Sequence, residues 1–158
     1  MTVASNKHAR QPAGFPNAIS PEQLEMINHF YDEGGHAVSF YFKASPQQCK
    51  GNLDLLAMND RVRQLISRDF QHGHVNTGFV RDLNHCLEVA EQNLELVSPL
   101  KVVFACHKQG IWLEYDLAVS GHIVRMEAGT HFNVAPLMRL ADITPQNLGV
   151  PPDLPLLR

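Results

Sequence analysis

The chain has 158 residues, of which 44% are hydrophobic and 18% charged, and its formal net charge is −3. This is the length of one ordinary domain, and the composition is too apolar and too weakly charged for a disordered chain. The net charge argues against a strongly basic nucleic-acid-binding protein, but it allows a local basic patch. No apolar run approaches the ~20 residues of a membrane span, so we expect no membrane partner.

The two ends of the chain differ from its middle. We predict a flexible segment over residues 1–19, one domain over residues 20–142 and a proline-rich tail over residues 143–158. The N-terminus lacks the apolar core of a secretory signal, and the three cysteines form no Cys-x-x-Cys pair. Together these features favour the cytoplasm, where cysteines stay reduced.

The predicted domain begins with a helix and a strand. Ser20 and Gln23 form a capping box around Pro21, and Gly34-Gly35 ends the helix that they start. Residues 36–42 then alternate as a strand, with Val38, Phe40 and Phe42 on one face.

Two long helices follow as an antiparallel hairpin. Apolar residues recur at helical spacing over residues 48–68 and again over residues 80–97. The glycine and asparagine content of residues 70–78 predicts the loop between them.

The last third of the chain predicts a β-meander. Residues 101–106 are nearly all apolar, as in a central strand buried on both faces. Strands are also predicted at residues 111–117, 122–127 and 130–134, and a short helix at 136–141.

The expected fold is therefore α/β of the α+β type. A four- or five-stranded mixed or antiparallel sheet carries the two-helix hairpin on one face, beside a short N-terminal helix. We expect the other face to be less apolar, to hold Trp112 and Tyr41, and to be covered by the first helix or a partner. Trp112, Glu114 and Asp116 alternate with apolar residues, which predicts a half-exposed strand.

Several stretches resemble the N-terminal domain of archaeo-eukaryotic class-1 peptide release factors, and more closely the bacterial relatives of that family. The resemblance covers residues 36–141 and is carried by the opening strand Ala37-Val38-Ser39-Phe40-Tyr41-Phe42, the hairpin from Gln48 to Val97, the buried strand Leu100 to Cys106 before Gly110, and the closing segment His131 to Leu137. It implies the fold of that domain and contact with the ribosome, RNA or a translation-associated protein.

The chain also departs from that family. The stop-codon-reading segment Asn-Ile-Lys-Ser does not occur between Gln48 and Val97, and no Gly-Gly-Gln motif follows. The resemblance therefore implies no peptide-release activity. Gly34-Gly35-His36 is interpreted as a helix stop before a strand, without a hydrolytic role.

The nucleic-acid-binding candidates are basic residues that flank the hairpin. These are Arg61, Arg63, Arg68, Arg81, His72 and His74. Such an edge can contact phosphates. The alternative is an ordinary charged helix face, because Asp54, Asp60, Asp69 and Asp82 can neutralise the same surface.

Other residue patterns leave two further hypotheses open. Nine histidines, with His72 and His74 close together, allow a metal-dependent hydrolase if His85, His107, His122 or His131 converge on them. Glu114 and Asp116 at i and i+2 suit acid–base chemistry, although such a pair more often lies on the solvent face of an edge strand. An exposed Trp112, with Tyr41, marks an interface for self-association into a homo-oligomer.

The function predicted from the sequence is a non-catalytic binding module in translation. We assign it no catalytic residue, metal ligand or cofactor, and the metal-dependent hydrolase and the self-associating structural domain remain the alternatives.

Overall fold

A computed structural model describes residues 19–44, 50–73, 76–95, 98–119 and 122–143. The predicted flexible segment and proline-rich tail lie outside these ranges, apart from Ile19 and Ile143. In chain order the elements are α1 (Pro21–His29), β1 (Ala37–Lys43), α2 (Lys50–Gln71), α3 (Thr77–Glu91), β2 (Leu100–Cys106), a 3-10 turn (His107–Gln109), β3 (Ile111–Leu117), β4 (Ile123–Gly129) and α4 (Ala135–Ile143). The predicted α+β fold is confirmed.

The sheet has four strands in the order β3-β2-β1-β4, and each neighbouring pair is antiparallel. The predicted meander is wrong for β4, which pairs with β1 rather than with β3. This crossover places Met126 opposite Phe40. It also makes β1 an inner strand, which suits its almost completely buried side chains better than an open edge.

The predicted fifth strand at residues 130–134 is not formed. Its backbone is held by side chains instead of a neighbouring strand, because the Asn133 N–H donates to Ser39 Oγ at 2.7 Å. Phe132 stacks on Phe30 with ring centroids 4.5 Å apart. The segment therefore closes one face of the sheet and leads directly into α4.

Both faces of the sheet are apolar and covered, which corrects the expected contrast between them. The hairpin packs on the face that carries Val38, Phe40 and Phe42, as predicted. Helices α1 and α4 cover the opposite face, where Tyr41 is buried with strand residues such as Phe104. Trp112 lies on the hairpin face, so it does not share a face with Tyr41.

The hairpin is longer at its turn than the sequence predicted. Helix α2 continues to Gln71, and α3 begins at Thr77 because Asn76 Oδ1 accepts the Phe79 N–H at 2.9 Å. Helix α3 ends at Glu91 rather than at residue 97. Within the described ranges, no helix combines the length and the hydropathy needed to cross a bilayer.

Candidate functional site

Several polar side chains meet in the loops at one end of the sheet. Antiparallel pairing brings the start of β1 beside the end of β4, where Ala37 faces Gly129. It also brings the end of β2 beside the start of β3, where Cys106 faces Ile111. His36, the turn His107–Gln109 and the segment after β4 therefore meet at this end, next to the hairpin turn.

A cleft of about 420 Å³ opens at this end between α2, the end of β4 and the turn before β1. We call it the α2–β4 cleft. The polar side chains that line it are His36, Arg68, Asp69, His72 and Thr130, together with the backbone of Gly34 and Gly35. A volume of this size is within the range of small-ligand sites.

His36 and Asp69 form a close pair in this cleft. Nε2 of His36 lies 2.7 Å from Oδ1 of Asp69, and the side chains are 16% and 14% exposed. The second carboxylate oxygen, Oδ2, accepts the Asn76 N–H at 3.1 Å. Phe79 packs against the imidazole, with ring centroids 4.6 Å apart. In the neutral ring Nε2–H therefore donates to the carboxylate, and the lone pair is left on Nδ1.

The backbone of His36 is fixed by a second carboxylate. Oδ2 of the buried Asp32 accepts the His36 N–H at 3.0 Å, and Oδ1 accepts from Gln109 Nε2 at 3.1 Å. Burial acts to raise the pKa of Asp32, but these hydrogen bonds outweigh it and the pKa is lowered. Asp32 is thus held as a carboxylate, and it ties the start of β1 to the turn between β2 and β3.

Three of the predicted basic residues follow the outer edge of β4. Nε of Arg61 donates to the Met126 carbonyl at 2.8 Å, and Nη2 of Arg68 donates to the Ala128 carbonyl at 3.3 Å. One helical turn further, Nδ1 of His72 bonds to the Arg68 carbonyl at 2.8 Å. We call Arg61, Arg68 and His72 the basic stripe. Its arginines occupy edge carbonyls that would otherwise be open to another strand.

The remaining basic candidates do not join this stripe. Arg63 pairs with Asp60 at 2.8 Å, and both side chains are about 70% exposed (72% and 69%). Arg81 is exposed on α3 and does not line the cleft. His74 lies outside the described residues. The structure therefore brings together half of the predicted set.

The histidines that would have to converge for the metal-dependent alternative are dispersed among the described residues. Among the residues that the structure describes, no group of three His, Cys, Asp or Glu side chains is placed to hold a metal ion. His85 stacks on Trp112 with centroids 4.0 Å apart, His107 lies 3.7 Å from Asp82, His122 lies 3.3 Å from Asp54, and His131 packs against Tyr31.

The predicted solvent face of β3 is wrong. Trp112 is 8% exposed, and its Nε1 donates to Oε1 of the buried Glu114 at 3.2 Å. Lys101 Nζ lies 3.2 Å from Glu114 and 2.5 Å from Asp116. Glu114 and Asp116 are thus ion-paired through one lysine, which explains the pair without acid–base chemistry.

Tyr41, the second predicted interface residue, is buried as well. It is 1% exposed, its hydroxyl donates to the Asn133 carbonyl at 2.5 Å, and burial raises its pKa. Trp112 and Tyr41 are therefore core residues of this chain rather than exposed contacts.

Sequence reasoning did not single out two carboxylates of the hairpin, the half-buried Asp69 and the buried Asp82. Asp69 follows Leu65 by four residues, and Asp82 precedes Cys86 by four, so both stand on the apolar stripe of their helix. A charged residue on such a stripe was the available sequence signal. Asp82 is 6% exposed, its Oδ2 has no hydrogen-bond partner, and burial raises its pKa to about 6.

The buried cysteines carry no reactive thiol. Cys86 and Cys106 are free and fully buried, which fits a packing role. Burial raises the pKa of Cys106 to about 11, and it raises the pKa of Cys86 too. A nucleophilic cysteine needs a lowered pKa instead.

No protein-family model and no curated protein matches this chain. The α2–β4 cleft brings a cation and a carboxylate together, since Arg68 and Asp69 both line it. Arg68 supplies N–H donors at its wall, and arginine matches the geometry of phosphate oxygens.

Proposed function

We propose that the chain is an RNA-binding module and that the α2–β4 cleft is its contact with the RNA backbone. The observation that carries the proposal is the basic stripe, which runs along one side of α2 beside the edge of β4. A guanidinium has five N–H donors. The bond from Arg68 to Ala128 uses one of them, so the same side chain has donors left for a phosphate.

The stripe borders two adjoining clefts rather than a flat surface. A second cleft of about 300 Å³ continues the first along α2 and β4, past Arg61, Gln64 and Met126. A single strand laid in both clefts would meet Arg61 and Arg68 two helical turns apart. That separation is about 10 Å along the helix axis.

An aromatic pair at the rim suits an unstacked base. Tyr31 is 54% exposed, and its ring packs against His131 at 5.2 Å, directly after Thr130 in the cleft wall. Proteins that bind single-stranded RNA combine a basic groove with such rings. This favours single-stranded RNA over a duplex.

The resemblance to the release-factor N-terminal domain supports RNA, and the ribosome in particular, as the ligand. A ribosomal or translation-associated partner and a cytoplasmic location belong to the same proposal. The net charge of −3 confines the interaction to the local stripe.

The test is the salt dependence of binding to a short fluorescent oligouridylate. Affinity is expected to fall between about 50 and about 200 mM salt, with a slope of about −0.7 per phosphate contact. Arg68→Gln should weaken binding and reduce the slope by about 0.7, because it removes one such contact.

Arg63→Gln is the matched control, because it removes the same charge from another face of the same helix. It should leave affinity and slope nearly unchanged. Absence of binding at low salt, or equal effects of both substitutions, would contradict the proposal.

A further inference from the structure

We propose that the α2–β4 cleft also cleaves the single-stranded RNA it binds, with His36 as general base, His72 as general acid and Arg68 as the phosphate ligand. This inference rests on the proposed RNA-binding function and adds an activity to it. It also departs from the sequence-based expectation that the chain has no catalytic residue.

His36 is arranged as a base that faces the cleft. Asp69 accepts a hydrogen bond from its Nε2–H, with Nε2 and Oδ1 2.7 Å apart, which orients the ring and leaves Nδ1 as the proton acceptor. Within the described ranges Nδ1 has no hydrogen-bond partner. A Cβ on residue 34 would lie 3.4 Å from Nδ1 and 3.4 Å from Oδ2 of Asp32, so glycine at this position leaves that side of the ring open. Gly34 itself lines the cleft.

His72 is arranged as an acid in the same wall. Its Nδ1 bonds to the Arg68 carbonyl at 2.8 Å, so Nδ1 is the donor and Nε2 is turned away from the helix. In its protonated form the ring presents an Nε2–H to the cleft. His72 follows Asp69 by three residues, which makes it a neighbour of the carboxylate that holds His36.

These groups suffice for an internal transphosphorylation of RNA. Nδ1 of His36 takes the proton of a ribose 2′-hydroxyl, and the 2′-oxygen forms a bond to the adjacent phosphorus. The bond from phosphorus to the 5′-oxygen of the next nucleotide breaks, and that oxygen takes the proton from Nε2 of His72. The products are a 2′,3′-cyclic phosphate and a 5′-hydroxyl end, and Arg68 stabilises the charge on the phosphate during the step.

The experiment compares three oligonucleotides of one sequence: RNA, 2′-O-methyl RNA and DNA. The full chain should cleave only the RNA in the presence of EDTA, and the new ends should be a 2′,3′-cyclic phosphate and a 5′-hydroxyl. His36→Gln and His72→Gln should each lower the cleavage rate at least about 100-fold. The affinity of His36→Gln for the 2′-O-methyl RNA should stay close to that of the unchanged chain, because His36 is not part of the basic stripe. His72 belongs to that stripe, so the cleavage rate of His72→Gln is compared at a saturating protein concentration.

His29→Gln is the matched control for His72→Gln. Nδ1 of His29 bonds to the carbonyl four residues earlier, Glu25, at 2.9 Å, and the residue is exposed on α1. This substitution should leave the cleavage rate unchanged. Thermal melting followed by circular dichroism checks that each variant is folded, and restoration of the His36→Ala rate by added imidazole would separate a lost base from a distorted cleft.

Binding of the 2′-O-methyl RNA without any cleavage of the RNA would overturn the catalytic inference and leave the binding proposal standing. Cleavage that persists in both histidine variants, or that extends to DNA, would also overturn it. Failure to bind any of the three oligonucleotides would overturn both proposals.

Discussion

Two histidine–carboxylate pairs stand at the same end of the sheet, and they are built differently. Asp69 and Asp82 belong to the two helices of the hairpin, and each faces a histidine from the loops of the sheet. Nε2 of His36 lies 2.7 Å from Oδ1 of Asp69, whereas Nδ1 of His107 lies 3.7 Å from Oδ1 of Asp82.

The two carboxylates also differ in their hydrogen bonds and in their burial, and these differences give them different effects on stability. Asp69 has hydrogen bonds on both oxygens and faces the α2–β4 cleft. Asp82 has a buried Oδ2 without a partner, and burial raises its pKa to about 6 although His107 acts to lower it. A carboxylate with hydrogen bonds on both oxygens orients an imidazole, whereas one that keeps a buried oxygen without a partner makes stability depend on pH.

Asp82→Asn should have the largest effect on the free energy of unfolding, because it removes a contribution that depends on pH. The pKa of Asp82 is raised in the folded state, to about 6 from its ordinary value of 3.8. The folded state therefore retains a proton that the unfolded state has lost, and stability falls as pH rises through this window. Above pH 6 the ionised Asp82 lowers the free energy of unfolding by its full amount, which is about 3 kcal/mol at most.

Urea unfolding of the unchanged chain and of Asp82→Asn at pH 4 and pH 7.5 measures this effect. The free energy of unfolding of the variant, relative to the unchanged chain, should rise by up to about 3 kcal/mol between the two pH values. A difference that stays constant with pH would show that Asp82 is solvated rather than buried.

Asp69→Asn, the matching substitution in the His36–Asp69 pair, should destabilise the folded chain. In Asp69→Asn the new side chain offers one acceptor oxygen where the carboxylate serves two donors, His36 Nε2–H and the Asn76 N–H. Its amide group would then oppose one of those donors, so the substitution should cost about 2 kcal/mol at pH 7.5. Urea unfolding gives the value, and a stability equal to that of the unchanged chain would place the His36–Asp69 contact on the solvated surface.

Gly78→Ala should disturb the His107–Asp82 pair and leave the His36–Asp69 pair unchanged. A Cβ at this position would lie 2.3 Å from Cδ2 and 2.7 Å from Cγ of His107, so the imidazole must swing away from α3. Overpacking costs about 1–3 kcal/mol, and the helix preference of alanine over glycine offsets about 1 kcal/mol. We expect a net loss of about 1 kcal/mol.

A double-mutant cycle checks the cause of that loss. In an Asp82→Asn background the cost of Gly78→Ala should be smaller, because the charge that His107 offsets is then absent. Equal costs in both backgrounds would mean that the loss comes from the steric contact alone.

The hairpin and the central strand were predictable because their patterns are long and regular. The apolar stripe through Met58, Val62 and Leu65 is buried as its spacing indicated, and β2 is buried along its whole length. Strand order was not predictable, because the pairing of β1 with β4 depends on packing across the sheet rather than on the turn after β3.

The candidate site was only partly predictable. The members of the basic stripe are among the candidates that charge alone predicted. That Arg63 does not join them depends on how α2 is rotated against β4. His36 was interpreted as part of a helix stop, since its partner Asp69 lies 33 residues away in the chain. Sequence spacing places residues on one helix face, but it does not show which loop faces them.

Arg63→Gln should have the smallest effect on stability. It therefore gives the reference value for an exposed ion pair, with which the losses at the buried pairs are compared. Its partner Asp60 lies at 2.8 Å, close to the distance between His36 and Asp69, but the two side chains are 72% and 69% exposed. Exposed pairs are screened by water and contribute about 0.2–1 kcal/mol, and i,i+3 helix pairs lie near the lower end. Urea unfolding should therefore show a loss below about 0.5 kcal/mol that shrinks further at high salt. A loss as large as that of Asp69→Asn would mean that distance alone, rather than burial and the number of bonded oxygens, separates the strong pairs of this protein from the weak ones.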